Sequence, residues 1–367
     1  MLAAGAFAVS VGAWPVAALA SLGAPAFAQA PPPGQSAPPG QDSSETEPRA
    51  EQRERAGWRR PGTVRVATDN DAYLFWRKPW ERTDHEYTSG ARGTVEYAGP
   101  SDVLPLARWR RTCGEPRPCV SHSFSLGQEL YTGEPPPAPG VEPAAHPSYR
   151  TNAAWLYVEA AERDSTGRDA REVSVRVGVV GPPALGEPMQ QFFHVIGPKY
   201  PLPVDWSRQL PFEPGVVVTV ARRRIVARTG DPDAGGGRAT GSGAGAALSV
   251  YGNASLGTIL TGASGGLTAL GVFPIADAAH GARWPRVAVS VEATAYGVLR
   301  DEFLDGTLFR SSPRVAKRPL YNEGRLAVEL WWSRLRLGYR VAQTGPRYRL
   351  QDAPLTWGTL VAEWRPR

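Results

Sequence analysis

The chain has 367 residues, 42% of them hydrophobic, with 40 Gly, 36 Pro and 2 Cys, and a formal net charge of +6. So much Gly and Pro excludes a helical bundle, the lack of a three-residue period excludes collagen, and two cysteines are too few for a disulfide-built scaffold or a four-cysteine zinc site. Beyond the N-terminus no apolar run is long enough for a membrane-spanning helix, and the basic balance comes with no zinc knuckle, RNP motif or basic helix, so nucleic acid is not an expected partner.

Residues 1–41 carry no charged side chain; the first is Asp42. The apolar stretch from Leu2 to Leu22, followed by Ala26-Phe27-Ala28 and Ala28-Gln29-Ala30, reads as a secretory signal peptide over residues 1–30. A membrane anchor is the alternative; Pro15 and the early Ala-x-Ala oppose it. Residues 31–62 are rich in Pro, Gly and charge. They bury too little to offset their ordering entropy, so a disordered linker is expected there. Cys113 and Cys119 bracket Gly-Glu-Pro-Arg-Pro. After export, a short disulfide-closed loop is the expected reading. A metal pair would have no His or Cys companions at ligand spacing.

From residue 63 the pattern has period two. Val64 and Val66 flank Arg65; Val173, Val175, Val177 and Val179 alternate with Ser174, Arg176 and Gly178. Leu335, Leu337, Tyr339 and Val341 alternate with Arg334, Arg336, Gly338 and Arg340, and Leu360, Ala362 and Trp364 close the chain. One apolar face and one face rich in Arg and Gly define half-buried strands. The strands run about ten residues, recur along an exported chain, and carry Tyr73, Trp76, Tyr97, Tyr131, Trp155, Trp331 and Trp357 near their ends, as an interfacial girdle requires. The expected fold is therefore all-β: an antiparallel transmembrane barrel of about 12 strands over residues 63–367, with the Arg-bearing face inside. One segment breaks the period. Glu187–Ile196 has helical spacing, with Pro188 in the first turn and Met189, Phe192, Phe193 and Ile196 on one side. It also carries His194. The remaining histidines, His85, His122, His146 and His280, read as surface or loop residues.

Several motifs, taken in order, carry a family resemblance. They are Asp69-Asn70-Asp71, Glu86-Tyr87-Thr88-Ser89-Gly90, Phe124–Gln128, Arg150 with Ala154-Trp155-Leu156, Gly178–Pro182 through Gln190 or Gln191 to His194, and Phe303-Leu304-Asp305-Gly306-Thr307-Leu308-Phe309. In this order the chain resembles the outer-membrane lipid A 3′-O-deacylase (LpxR) family over roughly residues 64–364. The resemblance implies a twelve-stranded barrel in the bacterial outer membrane, with a site at the outer end between the wall and a loop helix. It implies calcium-dependent hydrolysis of the 3′-acyloxyacyl ester of lipid A, by a chain expected to be a monomer whose partner is lipopolysaccharide. By the same resemblance His194 is the general base and Thr88 a second catalytic residue. Asn70 and Asp71 are the expected Ca2+ ligands, and Arg150 and Gln191 the expected substrate contacts. A neutral imidazole accepts a proton near pH 7, and calcium takes oxygen ligands. The acidic residue that a characterised family member carries just after its catalytic His is replaced here by the stretch holding Pro198 and Lys199. That departure keeps a second reading open, a non-catalytic barrel with a structural or lipid-binding role.

Overall fold

The computed structural model describes residues 62–77, 86–99, 120–133, 150–196, 206–230, 244–275, 285–351 and 353–366, without the side chains of 166 and 193–196. The expected signal peptide and linker and the Cys113–Cys119 loop lie outside the described residues.

Twelve strands are present: β1 (Thr63–Asn70), β2 (Glu86–Ala98), β3 (Val120–Thr132), β4 (Ala153–Thr166), β5 (Asp169–Val180), β6 (Glu213–Thr229), β7 (Gly245–Gly257), β8 (Leu260–Pro274), β9 (Arg286–Asp301), β10 (Leu320–Trp332), β11 (Leu335–Thr344) and β12 (Leu355–Trp364). Each pairs antiparallel with its sequence neighbours, and β1 pairs with β12 to close the barrel. The closing register runs from Val64 opposite Trp364 to Asn70 opposite Gly358. Closure leaves no unpaired strand edge, which is the condition for strands to sit in hydrocarbon.

The period-two reading sets the two faces. Val66, Val158, Val177, Leu267, Val291 and Leu326 are exposed on the outside, a surface suited to lipid. The alternate positions turn inward and are neutralised there. Arg65 bonds Glu363 at 2.6 Å, Arg176 bonds Glu159 at 2.7 Å, and Arg325 bonds Glu323 at 2.6 Å. Glu329 receives both Arg336 and Arg340. The Arg-rich face expected inside is therefore matched there by carboxylates. Between these pairs the lumen holds a cavity of about 410 Å³, lined by Asp69, Tyr87, Glu129, Tyr157, Tyr296 and Arg325 among others.

Four aromatic residues expected in the outer girdle face the lumen instead, among them Trp331, whose indole donates to Glu329 at 3.0 Å with the Arg336 guanidinium over its ring. Trp155 stacks within 4.4 Å of Tyr157, Tyr131 lies 4.4 Å from Phe303, and Trp357 meets Tyr87 edge-on. Strand phase decides this: each sits at a position that alternates with outward residues such as Leu130, Ala154, Leu156 and Gly358. His122, expected in a loop or at the surface, is buried in β3. Its Nδ1 is 2.9 Å from the Gly99 carbonyl, and its ring stacks on Tyr97.

The connections after β1, β3, β5, β7, β9 and β11 share one end of the barrel. The two-residue turns at 167–168 and 333–334, with the starts and finishes of β1 and β12, lie at the other. The longest connection, residues 181–212 between β5 and β6, lies at the first end; outer-membrane barrels carry their longer loops outside, so that end is the outer one and the end holding both termini the inner one. The expected helix is present as α1 (Gly186–Ile196), and a four-residue helix α2 (Glu302–Asp305) follows β9. Replacing Glu329 by Gln takes the carboxylate from Arg340 and leaves Arg336 with the more distant Glu363, 3.8 Å away. Both guanidiniums reach lumen water, so the expected loss is about 1–2 kcal/mol, read from urea unfolding of the refolded barrel.

Candidate functional site on the outer rim

At the end of β1 the chain tightens into a 3-10 turn, Asp71–Tyr73, because Asn70 is extended and its side-chain oxygen accepts the Ala72 N–H at 2.7 Å. This is the capping chemistry of Asn. The turn reading of Asp-Asn-Asp and the ligand reading thus apply to the same residues. Asp69 points into the lumen, where it accepts the Tyr87 hydroxyl at 2.7 Å. Its neighbour Asn70 therefore lies on the outward face. Asp71 is buried within the turn.

Beside it, β2 carries a bulge between Tyr87 and Ser89. Tyr87 faces the lumen, and Thr88 shares a short hydroxyl–hydroxyl hydrogen bond with Thr132 of β3. Thr132 alternates with lumenal Tyr131, so Thr88, Thr132 and Ser89 stand on the outward side with Asn70. All three hydroxyl residues are buried.

The segment after β5 covers the neighbouring outer wall. Leu185 adopts a left-handed conformation, φ 58°, at the end of a 3-10 turn and leads into α1. Ala184 and Trp206 form a buried cluster with Leu130 and Ala154, and Met189, Leu156 and Val179 pack around it. Gly186 makes this approach possible, since a Cβ there would lie 2.4 Å from the Trp206 ring. Gln128 of β3 holds the connection from the wall side by donating to the Ala184 carbonyl at 2.6 Å. Gln190 is buried and accepts the Trp206 indole N–H at 2.6 Å, whereas Gln191 is exposed and reaches only Glu187, one turn back. Helix phase thus turns Gln190 to the wall. The backbone of His194 is in α1, one turn beyond Gln190; its side chain lies outside the described residues.

Arg150 stands on the other side of the wall, in the barrel mouth. Its side chain is 0% exposed and bonds Glu86 at 3.2 Å. It lies 4.4 Å from the centre of the Tyr131 ring and donates to the Phe303 carbonyl at 3.4 Å. Glu86 also accepts the Tyr348 hydroxyl. Its backbone has φ 70°, a strain of about 1–3 kcal/mol for a non-glycine residue, retained because its carboxylate ties β2 to the β3–β4 and β11–β12 connections. Sequence reasoning placed Glu86 and, as an alternative to Gln191, Gln190 in the family motifs but gave neither a role, and it missed Tyr348. The buried Arg150 itself was the available signal, since such a cation needs a carboxylate.

The outward face offers the Asn70 amide oxygen and the Thr88, Ser89 and Thr132 hydroxyls, and the Asp71 carboxylate belongs to the buried turn beside them. That oxygen-only set fits calcium rather than a softer metal. Among the described residues, no group of three or more His, Cys, Asp or Glu is placed to hold a metal ion.

A closed antiparallel barrel with an apolar outer face and a charged, paired lumen defines a membrane β-barrel, and no described helix is long and apolar enough to cross a membrane. The family model described as Outer membrane protein LpxR matches residues 16–366, and the chain belongs to that family of outer-membrane proteins. The solved structure of LpxR from Salmonella typhimurium is similar in fold, with a TM-score of 0.63 and 15% sequence identity. The match covers 83% of this chain and 100% of that one. No curated protein matches the chain by sequence.

Two outcomes follow from the charges at this end. Arg150→Met leaves Glu86 buried without its cation and is expected to cost about 3–5 kcal/mol in urea unfolding. Glu302, at the start of α2, is fully buried and neither carboxylate oxygen has a hydrogen-bond partner. Burial, reinforced by Glu213 and Asp301 and opposed by Arg300, pushes its pKa up to about 8 from an ordinary 4.5. The folded state then holds a proton that the unfolded chain releases above pH 4.5. Stability from this group is full below that pH, falls as pH rises towards 8, and is flat beyond. Melting temperatures of wild type from pH 5 to 9 should show this decline, and Glu302→Gln should remove it.

Proposed function

We propose that this barrel is a lipid A deacylase that hydrolyses the ester-linked 3′-acyloxyacyl group of lipid A. The observation that carries the reading is placement. Asn70, Thr88 and the wall covered by α1 lie on the outward, lipid-facing side at the outer rim, not in the lumen. A lipid in the outer leaflet reaches that face without leaving the membrane. Family membership supports the same reading.

In this reading His194 takes a proton from water as the water oxygen attacks the ester carbonyl carbon. The Thr88 hydroxyl donates to the developing oxyanion. The carbon–oxygen bond to the sugar then breaks, releasing the fatty acid, and the sugar oxygen recovers the proton from the imidazolium. Asn70 and Asp71 would hold calcium, whose charge, when it is bound, stabilises the same oxyanion. Gln190 orients α1 through Trp206, and Gln191 faces outward, where the sugar head would lie. With its guanidinium occupied by Glu86, Tyr131 and Phe303, Arg150 is assigned to holding the rim rather than to a lipid phosphate.

The test is the mass spectrum of lipid A incubated with the folded protein. Wild type with calcium should remove the 3′-acyloxyacyl mass, and a chelator should stop it. His194→Ala should lower the rate by about 10²–10⁴-fold, and Asn70→Ala/Asp71→Ala should raise the calcium requirement. An unchanged spectrum with wild type, together with measurable calcium binding, selects the non-catalytic lipid-binding barrel. The stretch holding Pro198 and Lys199 after His194 is what gives that second reading its weight.

A further inference from the structure

The 3-10 turn that follows Asn70 does more than end a strand. Tyr73 lies flat on the outer wall. Its hydroxyl is 2.6 Å from that of Thr68, and its carbonyl accepts the Tyr339 hydroxyl of β11 at 2.6 Å. The wall is bare at that point. A Cβ on Gly358 would stand 2.6 Å from the Tyr73 Cβ, so only glycine admits the turn. Backbone bonds continue without slack, from Leu74 N–H to the Asp71 carbonyl at 3.1 Å, Phe75 N–H to Tyr73 at 3.0 Å, and Arg77 N–H to Leu74 at 2.9 Å. The result is a pinned pair of large aromatics. Phe75 is 64% exposed and Trp76 61% exposed. Their rings lie 5.7 and 6.4 Å from that of Tyr339, which faces outward between Leu360 and Val328.

Two adjacent exposed aromatics need an apolar surface to meet, or they cost solvation. Here that surface is fixed by location. The shelf is on the lipid-facing side, at the outer rim, and within six residues of Asn70 on the same tightly bonded peptide. The wall covered by α1, over β3 to β5, lies on the other side of the outward hydroxyls. A lipid whose ester reaches Asn70 and Thr88 from the membrane must lay its chains against one of these flanks.

We propose that Phe75 and Trp76 form an acyl-chain shelf, which seats the hydrocarbon of the lipid substrate beside the ester site and selects for chain length. The proposal rests on the deacylase reading. Phe75 and Trp76 are positioning residues, and the shelf acts on binding: a contact made equally in the ground and transition states changes KM more than kcat.

The experiment compares wild type, Phe75→Ala/Trp76→Ala and Phe75→Leu/Trp76→Leu. The full chain is refolded in mixed micelles with calcium, and lipid A carries either full-length or shortened acyl chains. The alanine pair should raise KM about tenfold for the full-length substrate, with kcat changed less than about threefold, and should erase the wild-type preference for longer chains. The leucine pair, apolar but not aromatic, should recover most of the KM. Unchanged KM and chain preference in the alanine pair overturn the proposal. So does a change confined to melting temperature or micelle insertion, which would mark Phe75 and Trp76 as membrane anchors only. If wild type hydrolyses no lipid A, the deacylase reading fails, and equilibrium binding of lipid A to the same variants decides the shelf. A tenfold loss of affinity supports it and equal affinity overturns it.

Discussion

Every carbonyl and amide in the hydrocarbon must find a partner within the protein, and the rest of the structure depends on the pairing of β1 with β12 that meets this demand. Once the barrel is closed, each strand residue has only two directions available, lumen or lipid. The lumen has to neutralise what it receives, which is why Arg65, Arg176, Arg325, Arg336 and Arg340 each meet a carboxylate. The lipid side accepts apolar groups freely and polar ones only under cover. Asn70, Thr88 and Thr132 are polar and outward, and Thr88 and Thr132 are buried. These polar groups are satisfied within the wall itself, Asn70 by capping the turn after β1 and Thr88 by its hydrogen bond to Thr132.

Much of the barrel was legible in the sequence because alternation is a local property. Val173 to Val179 can be read as a strand without knowing what lies beside it. The same holds for the break at α1, where the spacing changes within ten residues. What was not legible depended on phase relative to the wall or on distant partners. Trp155 and Trp357 look like girdle residues until strand phase turns them inward. Gln190 and Gln191 are indistinguishable by type, and only the packing of Met189 and Trp206 on the barrel settles which one is buried. Glu86 meets Tyr348 across 262 residues and Arg150 across 64, separations that no local pattern encodes.

The same logic explains Glu302. The Phe303–Phe309 motif was recognisable as a family stretch, but the carboxylate just before it carried no signal of its own. Its situation is created by α2 dipping into the barrel mouth, where Phe303 and Leu304 are buried. A carboxylate carried inward with them loses its water, and Glu213 nearby has both oxygens already engaged by the Leu308 and Phe309 amides. Holding a proton is the cheapest resolution left to Glu302.

The bulge at Thr88 has a consequence for how this gene can change. In regular pleating Tyr87 and Ser89 would share a face. The extra residue lets Tyr87 serve the lumen while Thr88 and Ser89 stand together outside. Deleting one codon there would restore regular pleating and cost the rim a hydroxyl. Inserting one would send the next residue of β2 across the wall. The length of β2 is therefore as constrained as its composition, and insertions and deletions in this barrel should be confined to its connections, even where single substitutions in the strands are harmless.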